Sequence, residues 1–159
     1  MPDPVSRRRN GARAAGVDFG RLPGYIGYQV RQTQSAIFRD ISRSIGDLGV
    51  TPGEFSLLTM LEANPGLNSV TLARLYRLDK ATLSLSLKRL VGRGLIRTER
   101  SEQDRRYHAL QLTPAGRKVL ARVTRRIEKQ ERAMDAVLKP GEREQVLDLL
   151  QRIAGAFDR

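Results

Sequence analysis

The sequence predicts a mainly α-helical protein that carries one small antiparallel β-hairpin. Apolar residues recur at helical spacing in several stretches, and breaks rich in Pro and Gly separate these stretches. Two short segments of alternating character, Leu95–Arg100 and His108–Leu112, flank the polar segment Ser101–Tyr107, which is typical of two strands joined by a loop. With 159 residues, 40% of them hydrophobic, the chain is long enough for one domain or a little less than two.

Residues 1–22 are basic and show no helical periodicity. The simplest interpretation is a solvated, flexible arm. The alternatives are an arm that follows DNA phosphates and an arm that binds an anionic ligand through residues such as Arg7–Arg9 or Arg21. The first helix is expected at Tyr25–Leu48, where one stripe of apolar side chains is predicted to be core: Ile26, Val30, Ile37, Ile41 and Leu48.

A second stripe on this first helix mixes aromatic, amide and guanidinium groups. Its members are Tyr25, Tyr28, Gln29, Gln32, Ala36 and Arg39. Ring contacts combined with donors for a carboxylate would suit an aromatic acid. The same composition is typical of a dimer interface, and the two interpretations are compatible. Phe55 and Leu58 on the next helix are predicted to pack inward and to form the floor of such a pocket.

Thr-Pro pairs predict where two further helices begin. Thr51 is expected to cap a helix that ends at about Ala63, and Thr113 to cap a long helix that ends at about Leu138. Pro140 is expected at the first position of a final helix. That helix has more apolar surface than a terminal element can bury on its own chain. We therefore predict a two-fold dimer through the N- and C-terminal helices.

The segment Asp79–Arg93, which follows a short helix at Ser69–Leu75, is predicted to be a helix with two unlike faces. Leu83, Leu87 and Leu90 share one face and are expected in the core. The opposite face and its flanks hold Ala81, Thr82, Ser84, Leu85, Ser86, Lys88 and Arg89. Short side chains let a backbone approach base edges, and cations reach phosphates. We predict a recognition helix in the DNA major groove.

The predicted hairpin follows this helix directly, and its polar tip carries Arg105 and Arg106. A hairpin with a cationic tip that follows a helix-turn-helix is a wing. Its arginines are predicted to enter the minor groove, where A·T-rich DNA concentrates negative potential.

Four sequence motifs lie within Leu72–Leu120: the Leu72–Ala73 pair, the RL-x-x-x-GLI run that ends at Ile96, the acidic-x-Arg element at residues 104–106, and LTPAG at Leu112–Gly116. Through these motifs the stretch resembles the MarR family of winged-helix repressors. With the flanking helices, the resemblance extends over roughly residues 25–157. It implies a winged helix-turn-helix lobe at residues 49–112, with dimerisation helices at residues 23–48 and 113–159.

The resemblance also implies roles for individual residues. Asp104 would support the wing, and Arg106 would enter the minor groove. An effector pocket would lie between the dimerisation helices and the DNA-binding lobe. Leu85 stands where many members carry a polar or basic residue, and this departure predicts an apolar contact, such as one with a thymine methyl group.

Composition limits the function classes. With 29 basic and 17 acidic residues, the net charge of +12 favours a polyanionic partner, either nucleic acid or a membrane surface. The absence of Cys excludes disulfides, thiolate zinc sites and a cysteine redox switch, and one His leaves no catalytic or metal-binding group of residues. These limits on Cys and His lead us to expect that the protein is not an enzyme and holds no cofactor. We find no membrane-spanning or secretory segment, so we expect a cytoplasmic protein.

These observations together predict a ligand-responsive regulator of transcription. It is expected to bind double-stranded DNA at a palindromic operator as a homodimer, and to repress. An aromatic carboxylate or its CoA thioester, the small-molecule effector that the resemblance implies, would release it from DNA. The alternative is an architectural winged-helix protein that binds DNA without a ligand.

Overall fold

The computed structural model describes residues 17–76, 80–100 and 108–157. This part of the chain holds six helices and one sheet of two antiparallel strands, and the order of elements confirms the predicted fold class. The elements are α1 (Ile26–Ile45), α2 (Pro52–Ala63), α3 (Ser69–Tyr76), α4 (Lys80–Gly92), β1 (Ile96–Arg100), β2 (His108–Leu112), α5 (Pro114–Asp135) and α6 (Glu142–Gly155). Single 3-10 turns at Leu22–Gly24 and Gly46–Leu48 flank α1.

The chain forms two compact units, of which the first ends at Asp40 and the second begins at Ile41. In the first unit, Ile26 is 64% exposed and Val30 is 41% exposed. The prediction that both are core residues is therefore wrong for the single chain. The described residues of this unit form one helix and one short turn, and a lone helix cannot bury its own apolar stripe.

The second unit has a continuous core to which every one of its long elements except α6 contributes. The core contains Ile41, Ile45, Leu48, Val50, Leu57, Leu58, Leu61, Leu72, Leu83, Leu87, Leu90, Leu95, Ile96, Leu110, Leu112, Leu120 and Val123. The predicted core leucines of the recognition helix are thus confirmed. Of the apolar stripe predicted for the first helix, Ile41 and Leu48 belong to this core, and Ile37 is half-buried.

The Thr-Pro pairs begin helices where the sequence predicts. Thr51 accepts a hydrogen bond from the backbone N–H of Glu54 at 3.2 Å, and the Glu54 carboxylate accepts one from the backbone N–H of Thr51 at 2.9 Å. This reciprocal pair satisfies two donors at the start of α2 that the helix itself leaves unpaired. Thr113 caps α5 with a single bond of this kind, accepting from the N–H of Gly116 at 2.9 Å, because glycine has no side chain to return a second bond.

The start of the last helix differs from the prediction. α6 begins at Glu142 and not at Pro140. Gly141, which lies between them, has φ +81°, and a residue with this left-handed conformation cannot belong to a right-handed helix. The Glu142 carboxylate instead accepts from the backbone N–H of Lys139 at 2.8 Å. Arg143 bridges back to α5, donating to Asp135 and, at 3.0 Å, to Glu131.

α5 is also tied to the end of α1. Arg126 donates to both carboxylate oxygens of Asp47, at 2.9 Å for the Nη2–Oδ2 pair, and to the carbonyl of Ser44. The hydrogen bonds from Arg126 hold the pKa of Asp47 below its usual value.

Among the described residues, no helix combines the length and the apolar character needed to cross a membrane.

Candidate nucleic-acid interface

α4 has the two unlike faces predicted for a recognition helix. Its inward face consists of Leu83, Leu87 and Leu90, all buried in the core of the second unit. After the helix, Gly94 adopts a left-handed conformation (φ +65°), and the N–H of Leu95 donates to the carbonyl of Leu90 at 3.0 Å. Glycine adopts this φ without steric cost, so it stops the helix and directs the chain into β1.

The outward face of α4 carries the small, hydroxyl and cationic side chains predicted to contact DNA. Ala81, Thr82, Ser84, Leu85, Lys88 and Arg89 are exposed, and Ser86 is half-buried. Leu85 is 69% exposed. A single exposed leucine is common on protein surfaces. On this face, however, it provides apolar surface of the kind that contacts a thymine methyl group. Asp79, predicted to cap the helix, lies outside the described residues.

The hairpin has its base in the core and its far end in solvent. Ile96 pairs with Leu112 at the base, and both are buried. At the far end Arg100 pairs with His108, which is exposed. The segment that joins the strands, residues 101–107, lies outside the described residues. The predicted wing support and minor-groove residues fall within it and stay predictions: Asp104, Arg105 and Arg106.

A groove of about 950 Å³ with a mostly apolar lining lies between α3, α4 and the hairpin. Ser84 and Lys88 line it from α4, and Thr98 and His108 line it from the hairpin. The helix and the hairpin therefore border one continuous concave surface. Helical and strand periodicity indicate each element but not this groove between them.

Arg89 lies beside Lys88 on the same face of α4, but the guanidinium of Arg89 is paired with other groups of the protein. Its Nε lies 3.4 Å from Oε1 of the buried Glu54, and its Nη2 donates to the carbonyl of Gly49 at 3.2 Å. About half of its side chain, 49%, is nonetheless exposed. Sequence reasoning missed these partners, because Gly49 precedes Arg89 by 40 residues.

The model of the MarR family matches residues 50–108, from just before α2 to the first residue of β2. A putative transcriptional regulatory protein for the hcr operon of Thauera aromatica is 34% identical over 135 residues, which make up 84% of this chain and 81% of that relative. The chain belongs to the MarR family.

Solved structures agree with the membership in the MarR family. The transcriptional repressor CouR bound to a 23-mer DNA duplex is 33% identical, with a TM-score of 0.81 over 87% of this chain and 98% of CouR. CouR bound to p-coumaroyl-CoA is 31% identical, with a TM-score of 0.77 over 87% of this chain and 97% of CouR. The chain is accordingly a transcriptional regulator with a DNA-binding winged helix, and not an enzyme.

Most of the predicted ligand residues lie in the first unit of this MarR-family chain: Tyr25, Tyr28, Gln29, Gln32 and Arg39. The amide of Gln29 donates to the carbonyl of Pro23 at 2.7 Å. The guanidinium of Arg31 lies 5.8 Å from the ring centre of Tyr28, at cation–π distance. Gln29 is thus engaged with the chain itself, whereas Tyr25 offers a ring that is 54% exposed.

The other two predicted ligand residues lie on α2 in the second unit. Phe55 is half-buried and packs against the core, whereas Leu58 is completely buried in it. A ligand that contacts Leu58 would have to displace a neighbouring core side chain, so Phe55 is the more accessible of the two.

In the described residues, no three His, Asp or Glu side chains lie close enough together to hold a metal ion.

Proposed function

We propose that this protein is a ligand-responsive repressor that acts in the cytoplasm and binds a palindromic operator as a homodimer. The observation that carries the proposal is the outward face of α4, where exposed short and hydroxyl side chains lie beside the exposed cation Lys88. A winged-helix relative, CouR, is bound to a DNA duplex. In a symmetric dimer, two copies of α4 would lie about 34 Å apart, one turn of duplex.

The exposed apolar face of α6 supports the dimer. Val146, Leu147, Leu149 and Leu150 are each 40% to 51% exposed, and Phe157 beyond the helix is 83% exposed. A contiguous set of large apolar side chains on a terminal helix is typical of an association surface. Ile26 and Val30 of α1 present further apolar surface. Burial of these residues against a second copy would account for both exposed faces.

In this proposal the residues of α4 have distinct roles. Ala81, Thr82, Ser84 and Ser86 let the helix backbone approach the base edges, Leu85 contacts a thymine methyl group, and Lys88 binds a phosphate. The roles proposed at the hairpin tip are minor-groove entry by Arg105 and Arg106 and support of the tip by Asp104.

We expect Leu85→Ala to relax base preference at one or two base pairs of each half-site, because the thymine methyl loses its apolar contact. Selection of bound duplexes from a random pool, followed by sequencing, measures this preference. Val137→Ala, which truncates a residue 81% exposed beyond the end of α5, is the matched control and should leave the selected consensus unchanged. A Leu85→Ala consensus identical to that of the wild type would contradict the thymine contact.

We further propose that the effector is an aromatic carboxylate or its CoA thioester, bound near Tyr25, Tyr28 and Gln32. The aromatic, amide and guanidinium groups of α1 support this class of ligand, as does the binding of p-coumaroyl-CoA by CouR. To change the protein from mostly bound to mostly free, a ligand needs about 5.5 kcal/mol of differential affinity between two conformations. A buried ring and several hydrogen bonds can supply that difference.

Titration of effectors into the protein–DNA complex tests this assignment. We expect aromatic carboxylates or their CoA thioesters to release a labelled operator duplex, while acetate and free CoA leave it bound. If no aromatic acid or thioester releases the DNA, the effector assignment is wrong. A footprint that is broad and indifferent to sequence, in place of one protected palindrome, would favour a ligand-independent architectural protein.

A further inference from the structure

We propose that Arg89 is a positioning residue: its ion pair with the buried Glu54 sets where the recognition helix α4 lies, so its main role is not to bind a DNA phosphate. The inference rests on the proposed function of α4 as the helix that contacts DNA. It assigns to a cation on the DNA-facing side a role that its exposure and charge alone would not indicate.

The first step is the burial of Glu54. This carboxylate is 2% exposed, and it is the buried charged residue of the described core. Oε2 accepts from the N–H of Thr51, and Oε1 lies 3.4 Å from Nε of Arg89. Removing a carboxylate from water is costly unless a cation and hydrogen-bond donors compensate the charge. Among the described residues Arg89 is the cation within ion-pair distance of Glu54, and the guanidinium compensates a charge that is already fixed on α2.

A second arginine attaches α4 to the same place. Arg93, which directly follows α4 and lies one helical turn after Arg89, donates through Nη2 to the carbonyl of Leu48 at 2.9 Å and through Nη1 to the carbonyl of Gly49. Arg89 also donates to Gly49, at 3.2 Å. The end of α4 is therefore joined by two guanidinium groups to one corner of the backbone, residues 48–51, which connects α1 to α2.

The shape of this corner depends on Gly49, which adopts φ +64°. A Cβ added at Gly49 would lie 3.0 to 3.2 Å from the atoms of the Arg93 guanidinium, closer than ordinary van der Waals contact. Glycine thus provides both the left-handed turn and the space that the guanidinium group occupies. The carbonyl groups of the corner can therefore accept hydrogen bonds from both Arg89 and Arg93.

These contacts determine the position of α4 in a way that its leucines alone do not. Side-chain packing at Leu83, Leu87 and Leu90 is non-directional, whereas hydrogen bonds from a planar guanidinium to fixed acceptors are directional. The donors of Arg89 that pair with Glu54 and Gly49 point into the protein. Because the corner directly precedes α2, a displacement of the start of α2 would move α4 through the same bonds.

Five variants distinguish this role from a phosphate contact: Arg89→Gln, Arg89→Lys, Glu54→Gln, the double variant of Arg89→Gln with Glu54→Gln, and Lys88→Gln. The affinity of each for an operator selected by the wild type is measured by fluorescence anisotropy over a series of salt concentrations. Gln at position 54 can still accept from Thr51 N–H, which preserves the helix cap while removing the charge. Thermal melting, followed by circular dichroism, reports the stability of each variant.

We expect Arg89→Gln and Glu54→Gln each to weaken DNA binding about three- to tenfold, and the double variant to be no weaker than either single variant. The slope of log affinity against log salt should stay at the wild-type value for all three. Lys88→Gln, the adjacent control, should reduce the magnitude of that slope by about 1 per protomer, because it removes a phosphate contact. Arg89→Lys, which keeps the charge but not the planar fork, should resemble Arg89→Gln.

Three results would overturn the inference. A reduced slope for Arg89→Gln, with Glu54→Gln unaffected, would make Arg89 a phosphate ligand. Additive losses in the double variant would show that the two residues act separately. Lower melting temperatures with unchanged affinity would make the bridge purely structural. If Lys88→Gln and Leu85→Ala also leave binding unchanged, the proposed function of α4 fails instead, so the two failures are distinguishable.

Discussion

We expect the protein–DNA complex to lose about 10³ to 10⁵ in affinity between about 50 and 200 mM salt, the loss typical of six to ten phosphate contacts. Each phosphate that a cation neutralises releases condensed counterions, and added salt opposes that release. The net charge of +12 and the exposed Lys88 on α4 provide the basis for such contacts. If a dimer neutralises about ten phosphates, log affinity against log salt should have a slope near −9.

Fluorescence anisotropy of a labelled operator duplex over this salt range measures the slope directly. A scrambled duplex of the same length and composition is the control, since phosphate contacts make binding to it salt-dependent as well. An affinity for the operator that stays within about tenfold over the whole range would contradict phosphate-dominated binding. The same titration fixes the salt concentration at which effector release is best measured.

Local signals in the sequence predict the elements well, because their physical causes are local. The threonines before two prolines accept hydrogen bonds from N–H groups only three residues away, so Thr51 and Thr113 mark the starts of α2 and α5. Spacing on one helix identifies Leu83, Leu87 and Leu90 as core. The prediction that the last helix begins at Pro140 is wrong, because the left-handed Gly141 that follows Pro140 decides where α6 begins.

The site is predictable only in part, since its geometry depends on contacts between distant segments. The outward face of α4 follows from periodicity, whereas the groove beside it needs the position of the hairpin. Thr51 and Glu54 have the spacing of a capping box, so the hydrogen bond between the Glu54 carboxylate and the N–H of Thr51 can be predicted from the sequence. Its second partner, Arg89, lies on another helix, and no local pattern distinguishes that arginine from the neighbouring Lys88.

The structure also predicts a large effect on stability for Gly116→Ala. Gly116 is buried in the first turn of α5, and a Cβ there would lie 2.0 Å from the carbonyl oxygen of Leu95. That oxygen belongs to the backbone and accepts from the N–H of Thr113 at 3.1 Å, so it cannot move without disturbing the cap of α5. We expect the free energy of unfolding to fall by about 3 kcal/mol.

Gly53→Ala is the matched control, because Gly53 also lies in the first turn of a helix that follows a Thr-Pro pair. A Cβ at Gly53 would meet no atom within 4 Å, and alanine favours the helix over glycine by about 1 kcal/mol. Urea unfolding of both variants should therefore show opposite shifts of the midpoint. An unchanged midpoint for Gly116→Ala would mean that β1 and α5 separate at little cost, and the close contact at Leu95 would then not hold the hairpin beside the DNA-binding helix.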